Sequence, residues 1–207
     1  MYRPPFFAVD DLPVLHDAIR KRVFATIATQ VNGAIEFAYA PVVLDLAEGP
    51  RGGVRYHLAR GNTLAALEDG ARVKLSFIAT DAYVSPDWYR ALVTVPTWNY
   101  IAVEGEGVVK RTSRKDLLRL VVDLSAQEEA KLYPKEPWQI AKLPDARVEA
   151  LLNGIAGFSV AFETLHGKFK LSQDKKPEDI QGVIAGLEGR DDPASLAVAA
   201  EMRKALP

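Results

Sequence analysis

The sequence predicts a mainly β fold of the α+β class, an antiparallel barrel with helices at its periphery. Three observations carry that expectation. Roughly six stretches of β-branched or alternating residues follow one another with short turns between them. Few helical stretches separate them, so the strict strand–helix alternation of a doubly wound sheet is missing. Neither G-x-G-x-x-G nor G-x-x-x-x-G-K-[ST] occurs, so a nucleotide-binding α/β sheet has no phosphate loop to work with.

Taken in order, residues 2–9 read as an extended arm, because Pro4 and Pro5 disfavour helix. Asp10 or Asp11 caps a helix that Pro13 helps to start, with Leu12, Leu15 and Ile19 on its buried side. His16 falls at a different angle and reads as a surface histidine. Residues 23–31, VFATIATQV, form a strand, and Asn32-Gly33 is a strong hairpin signal. Residues 34–46 return as a second strand, in which Pro41 marks an edge or a bulge. Residues 48–53, EGPRGG, make a turn, and residues 54–59 a third strand. Asn62 caps a short helix that ends near Gly70. Val73, Leu75 and Phe77 alternate with Lys74, Ser76 and Ile78 in a fourth strand. Residues 99–110 form another, where Gly105 and Gly107 imply a bulge or a close backbone approach.

Ser113 begins a helix with an apolar stripe of Leu117, Leu118, Val121 and Leu124. Pro144 and Asp145 open a shorter one that Gly154 can end. Residues 157–172 return to strand, with Phe158, Val160 and Phe162 on one face. A turn is expected at His166-Gly167, followed by Lys168, Lys170 and Ser172 on one face and Phe169 and Leu171 on the other. Helices at 177–187 and 193–206 close the chain. The simplest organisation is one barrel domain, residues 1–175, with a helical extension at 176–207.

The 207 residues include 48% hydrophobic and 26% charged residues and no cysteine. Disulfides, thiol catalysis and thiolate metal sites are thereby excluded. The formal net charge is −1 and the isoelectric point about 6.3, so no global basic field favours nucleic acid. No run approaches the roughly 18 apolar residues of a membrane helix, and the opening MYRPPFFAVDD has no apolar signal core. The cytoplasm is the expected location. His16, His57 and His166 show no metal-ligand spacing, and no G-x-S-x-G elbow is present.

One stretch stands out for function, DAYVSPDWYRALVTVPTWNY at residues 81–100. It holds two of the three tryptophans with three tyrosines, and Pro86 and Pro96 interrupt it. Rings with an apolar body and a polar tip suit the wall of a flat, partly polar pocket, or fold back onto a core. The segments Tyr83-Val84-Ser85-Pro86-Asp87-Trp88-Tyr89 and Val95-Pro96-Thr97-Trp98-Asn99-Tyr100 resemble the signature of the PaiB-like family of FMN-binding negative transcriptional regulators. Met1-Tyr2-Arg3-Pro4-Pro5-Phe6-Phe7, His57-Leu58-Ala59-Arg60-Gly61-Asn62, and Gly157-Phe158 with Gly167-Lys168-Phe169-Lys170-Leu171-Ser172-Gln173 resemble its other motifs, in register along nearly the whole chain.

That resemblance implies an FMN-binding split β-barrel, like those of flavin reductases and pyridoxamine-phosphate oxidases, usually a homodimer with flavin at the subunit interface. It implies cofactor contacts from His57, Ala59, Arg60, Asn62, Ser85, Trp88, Thr97, Trp98, Asn99, Lys168, Lys170, Ser172 and Gln173, and no metal. Arginine can fork onto phosphate oxygens beside the helix start at Asn62. Lys168, Lys170 and Ser172 align two cations and a hydroxyl, which suits a phosphate or an anionic flavin edge, or simply a solvated strand face. Two departures stand out: Tyr39 and Ala40 occupy the place where the family usually has a histidine, and Asp174 stands where asparagine is common. Two functions follow. One is an FMN-binding regulator, with direct DNA binding weakly supported by the charge. The other is an FMN-dependent oxidoreductase, and haem handling is a third, lesser possibility.

Overall fold

The computed structural model describes residues 1–91 and 94–205. Leu92 and Val93 of the aromatic stretch, and the end of the last expected helix at Leu206, lie outside the described residues. Among the described residues there are eight strands: β1 (Ala8–Val9), β2 (Phe24–Val31), β3 (Ala34–Asp45), β4 (Gly53–Ala59), β5 (Arg72–Val84), β6 (Thr97–Arg111), β7 (Ile155–Ala161) and β8 (Thr164–Lys170). Five α-helices accompany them: α1 (Leu12–Lys21), α2 (Arg114–Glu129), α3 (Asp145–Asn153), α4 (Pro177–Glu188) and α5 (Pro193–Lys204). The sheet order is β1-β8-β6-β5-β2-β3-β4-β7, and β6 also pairs with β7, which closes the run from β6 to β7 into an antiparallel barrel. The chain divides into two compact units, one of residues 23–76 and 105–165, the other of residues 1–22, 77–104 and 166–207.

The first of these units holds β2, β3, β4 and β7, with the start of β5 and the end of β6. Asn32 and Gly33 both adopt positive φ, +50° and +85°, the geometry whose twist matches a two-residue hairpin. Strand alternation then buries Ala25 and Ile27, Ala38 and Ala40, Val54, Tyr56 and Leu58, and Val73 and Leu75. Tyr56 stacks on Phe158 with ring centroids 5.4 Å apart. Pro41 lies opposite Phe24 on the first rung of β2, just before β3 transfers its pairing to β4 at Val42, so its missing N–H falls where two ladders meet. Helices α2 and α3 cover the outer side of β3 through a cluster of Val43, Leu117, Leu120 and Leu152. A Cβ at Gly105 would lie 2.4 Å from the Phe162 ring, and one at Gly107 2.2 Å from the Ala161 carbonyl. Both glycines therefore serve close approach.

The other unit contains α1, α4, α5 and β8. Asp11 caps α1 by accepting from the Val14 N–H at 3.0 Å, and Leu15 and Ile19 are buried as expected. His16 corrects the sequence reading: it is 8% exposed, because the buried side of α1 is wide enough to take it with Leu15 and Ile19. The expected turn at His166-Gly167 is corrected too. Both residues lie inside β8, with Gly167 opposite Val9, and the chain reverses at Phe162 and Glu163. Gly167 is there for proximity: a Cβ on it would meet the Leu15 side chain at 2.5 Å. Helices α4 and α5 pack together and bury Val183, Ile184 and Leu187 with Val198, Ala199 and Met202.

Candidate functional site

Strand β6 starts inside the aromatic stretch, and its alternation sorts that stretch into two faces. Asn99 and Ile101 are buried, whereas Trp98 is 53% exposed and Tyr100 half-buried. On the open face the Tyr83 ring, from the end of β5, meets Trp98 edge-on at 6.3 Å. Lys168 of β8 places its ammonium 5.3 Å from the Tyr100 ring and 5.4 Å from the Tyr2 ring. An exposed indole flanked by phenols and a cation is a shelf for a flat, electron-poor ring system with an anionic edge.

Lys170 borders the shelf. Its Nζ donates to Thr97 Oγ1 at 2.7 Å and to the Trp98 carbonyl at 2.5 Å. Burial pushes its pKa down; Asp174 acts against this, while Lys168 and Lys175 add to it. A pocket of about 310 Å³ opens here, lined among others by Tyr89, Thr97, Lys170 and Ser172.

Other expected residues are occupied locally. The β8 strand ends at Lys170, and Ser172 sits at φ +63°, so it does not continue the Lys168–Lys170 row as the period-two reading had it. Ser172 is buried, and the Asn99 Nδ2 donates to its Oγ at 2.9 Å and to the Met202 sulfur at 3.3 Å. The Gln173 amide accepts from Leu171 N–H at 2.7 Å and donates to the Phe169 carbonyl at 2.6 Å, finishing the strand. Ser85 accepts from Asp87 N–H at 3.3 Å and caps the turn Pro86–Trp88. The Trp88 indole lies against α4, where a Cβ on Gly186 would come within 2.2 Å of it. Asp179 of α4 accepts from the N–H groups of Arg90 and Ala91 at 2.7 and 3.3 Å. Thus α4 fastens the segment that leads to the shelf.

The group at 57–62 belongs to the first unit and is described by itself. Arg60 is exposed, and its Nε donates to the Asn153 carbonyl at 2.7 Å. Asn62 accepts from Leu64 N–H at 2.9 Å, capping a single 3₁₀ turn, Thr63–Ala66, rather than the longer helix expected. Ala59 ends β4. His57 is half-buried opposite Gly157, its Nδ1 has no hydrogen-bond partner among the described residues, and burial lowers its pKa. The sequence reading missed Tyr89, Lys175 and Asp179. Tyr89 and Lys175 lie within or beside the quoted motifs, whereas no local signal in the sequence sets Asp179 apart.

A closed antiparallel barrel with an exposed aromatic shelf beside lysines defines a flavin-binding split barrel. The chain belongs to the family described as "Putative FMN-binding domain", whose model matches residues 1–164. Over its full length the chain is 29% identical to "Protease synthase and sporulation protein PAI 2" of Bacillus subtilis, covering 100% of this chain and 98% of that one. Among solved structures, the FAD and heme binding protein from Mycobacterium smegmatis matches with a TM-score of 0.62 at 18% identity, over 84% of this chain and 78% of the other. The flavocytochrome Anf3 from Azotobacter vinelandii matches with a TM-score of 0.57 at 15% identity, over 87% and 78%. The cofactor of the family is FMN, and the residues present fit it: open rings for the isoalloxazine and a cation at their edge. Among the described residues no cluster of three or more His, Asp or Glu could hold a metal, and no helix is long and apolar enough to cross a membrane.

Proposed function

We propose that this protein is an FMN-binding regulator that acts as a homodimer, in the manner of the PaiB-like negative transcriptional regulators it resembles. The observation that carries the reading is the shelf of Tyr83, Trp98 and Tyr100 with Lys168 beside it. Trp98 would carry the isoalloxazine, and Lys168 would supply positive charge for its anionic edge. Thr97 and Lys170 border the ring, and Asn99, Ser172 and Gln173 fix the strand ends that carry them. Ser85 and Trp88 hold the segment before the shelf. Arg60, with Asn62 and the backbone of Ala59 near His57, is the proposed phosphate anchor.

A second copy is the proposed occupant of the outer β2–β3 face. Phe24, Ile35, Phe37 and Tyr39 project from it, with Ile35 71% and Tyr39 62% exposed. The register sets Phe37 opposite Ala28 and Tyr39 opposite Thr26, so these side chains share one side. Contiguous exposed apolar surface of this kind marks an association site. The cytoplasm is the proposed compartment.

The test is a flavin titration of the pure protein. FMN should bind stoichiometrically and leave a yellow protein after the excess is removed. Arg60→Ala should reduce affinity for FMN but not for riboflavin, and equal loss for both would remove the phosphate role. A mobility-shift assay addresses direct repression; absence of any salt-sensitive DNA affinity assigns the regulatory effect elsewhere. The unpaired Lys170 beside the shelf favours one alternative, an FMN-dependent oxidoreductase. Bleaching of bound flavin by NADH or NADPH would support it, and a flavin that stays oxidised with both would remove it.

A further inference from the structure

Lys170 is a half-buried ammonium without a counter-ion. Its two partners, Thr97 Oγ1 and the Trp98 carbonyl, are neutral, and among the described residues no carboxylate lies within ion-pair distance of it. Asp174 lines the same pocket but is paired with Lys175 at 2.8 Å. With Lys170 and Lys175 against Asp174, the pocket lining keeps one net positive charge. A half-buried ammonium whose only hydrogen-bond partners are neutral gains from an anion that takes its remaining N–H. Burial already weakens its hold on the proton.

The remaining lining says what that ligand looks like. Lys170 retains a third N–H, and the Thr97 hydroxyl, which accepts from Lys170, keeps its own hydrogen to donate. Phe7, Tyr89 and Val95 supply the apolar part of the lining. The volume, about 310 Å³, falls at the small end of ligand pockets, which run from roughly 300 to 1,000 Å³. From this geometry we infer that the Lys170 pocket, at the border of the flavin shelf, is a subsite for a small monocarboxylate with an apolar body that binds alongside the flavin. The carboxylate takes the third N–H of Lys170 and the Thr97 hydroxyl, and its apolar end rests on Phe7 and Val95.

The negative charge that completes Lys170 has two possible sources, a free carboxylate or the phosphate of FMN, and the experiment separates them. Benzoate, with neutral benzyl alcohol as control, is titrated calorimetrically into protein with and without bound FMN. Benzoate should bind one site per chain in both forms, at least tenfold more tightly than benzyl alcohol. Lys170→Met should weaken benzoate at least tenfold and Lys170→Arg much less. Thr97→Val, nearly isosteric and safe for folding, should weaken it several-fold. No benzoate binding, equal binding of the alcohol, or indifference to both Lys170→Met and Thr97→Val overturns the proposal. So does mutual exclusion of benzoate and FMN, which would give the lysine to the flavin phosphate. Loss of flavin binding in Trp98→Ala with benzoate binding intact would separate this subsite from the flavin shelf.

Discussion

Trp98 keeps half its surface in solvent and touches Tyr83 only by an edge, whereas its chain neighbour Asn99 is sealed between Ser172 and Met202. The two adjacent residues therefore fail differently. Trp98→Ala removes a stacking partner worth about 1 kcal/mol or more, so FMN affinity should fall roughly tenfold by fluorescence titration while the melting temperature barely moves. Asn99→Leu should do the reverse. It strips the Ser172 hydroxyl of its buried partner and destabilises the fold by about 1–3 kcal/mol in urea denaturation. Asp192 supplies a pH test. It accepts from Ser195 N–H and Oγ and meets Arg190, in that order of effect, and these hold its pKa down at about 2 against an ordinary 3.8. A depressed carboxylate stabilises the fold above its unfolded value and loses that contribution as pH falls through the folded one. The difference in melting temperature between wild type and Asp192→Ala should therefore be full above about pH 4 and shrink toward pH 2.

At the scale of elements, α4 shows how a helix face can be cut to receive one ring. Gly182 and Gly186 stand one turn apart, and a Cβ on either would strike the Trp88 carbonyl or indole at about 2 Å. Alanine normally strengthens a helix interior by up to about 1 kcal/mol over glycine. Gly186→Ala should nevertheless destabilise the protein, by about 1–3 kcal/mol, because the indole must leave its seat. Chemical denaturation followed by tryptophan emission checks both the loss and the displaced ring. Much of this scale was legible beforehand. Asn32-Gly33 announced its hairpin, the Asp10-Asp11 pair and Ser113 the starts of α1 and α2, and Phe158, Val160 and Phe162 their buried row. The misreadings have a common cause. Gly167 and Ser172 were judged by turn chemistry and by strand period, but each is set by a neighbour remote in sequence, Leu15 for one and Asn99 for the other. The shelf was legible because its rings recur within one stretch and one matched motif. The Asp179 clasp was not, because nothing local distinguishes an anchoring carboxylate from a solvated one.

For the whole molecule, the uncovered β2–β3 face carries the expectation of self-association. Phe37→Asp places a charge at the middle of that face, where two copies would desolvate it. Sedimentation should show a dimer for the wild type and a monomer for this variant. A monomeric wild type would leave the face to another partner. The order in which the chain supplies its two units has a further result. The unit that bears the shelf is assembled from both ends of the polypeptide and from a central segment. A single genetic crossover between two diverged copies, wherever it fell within residues 1–207, would give that unit two parents. Its inherited side-chain fits, such as Trp88 into its glycine seat, must then match across lineages, so this half of the protein should resist piecemeal exchange and change chiefly by compensated substitutions.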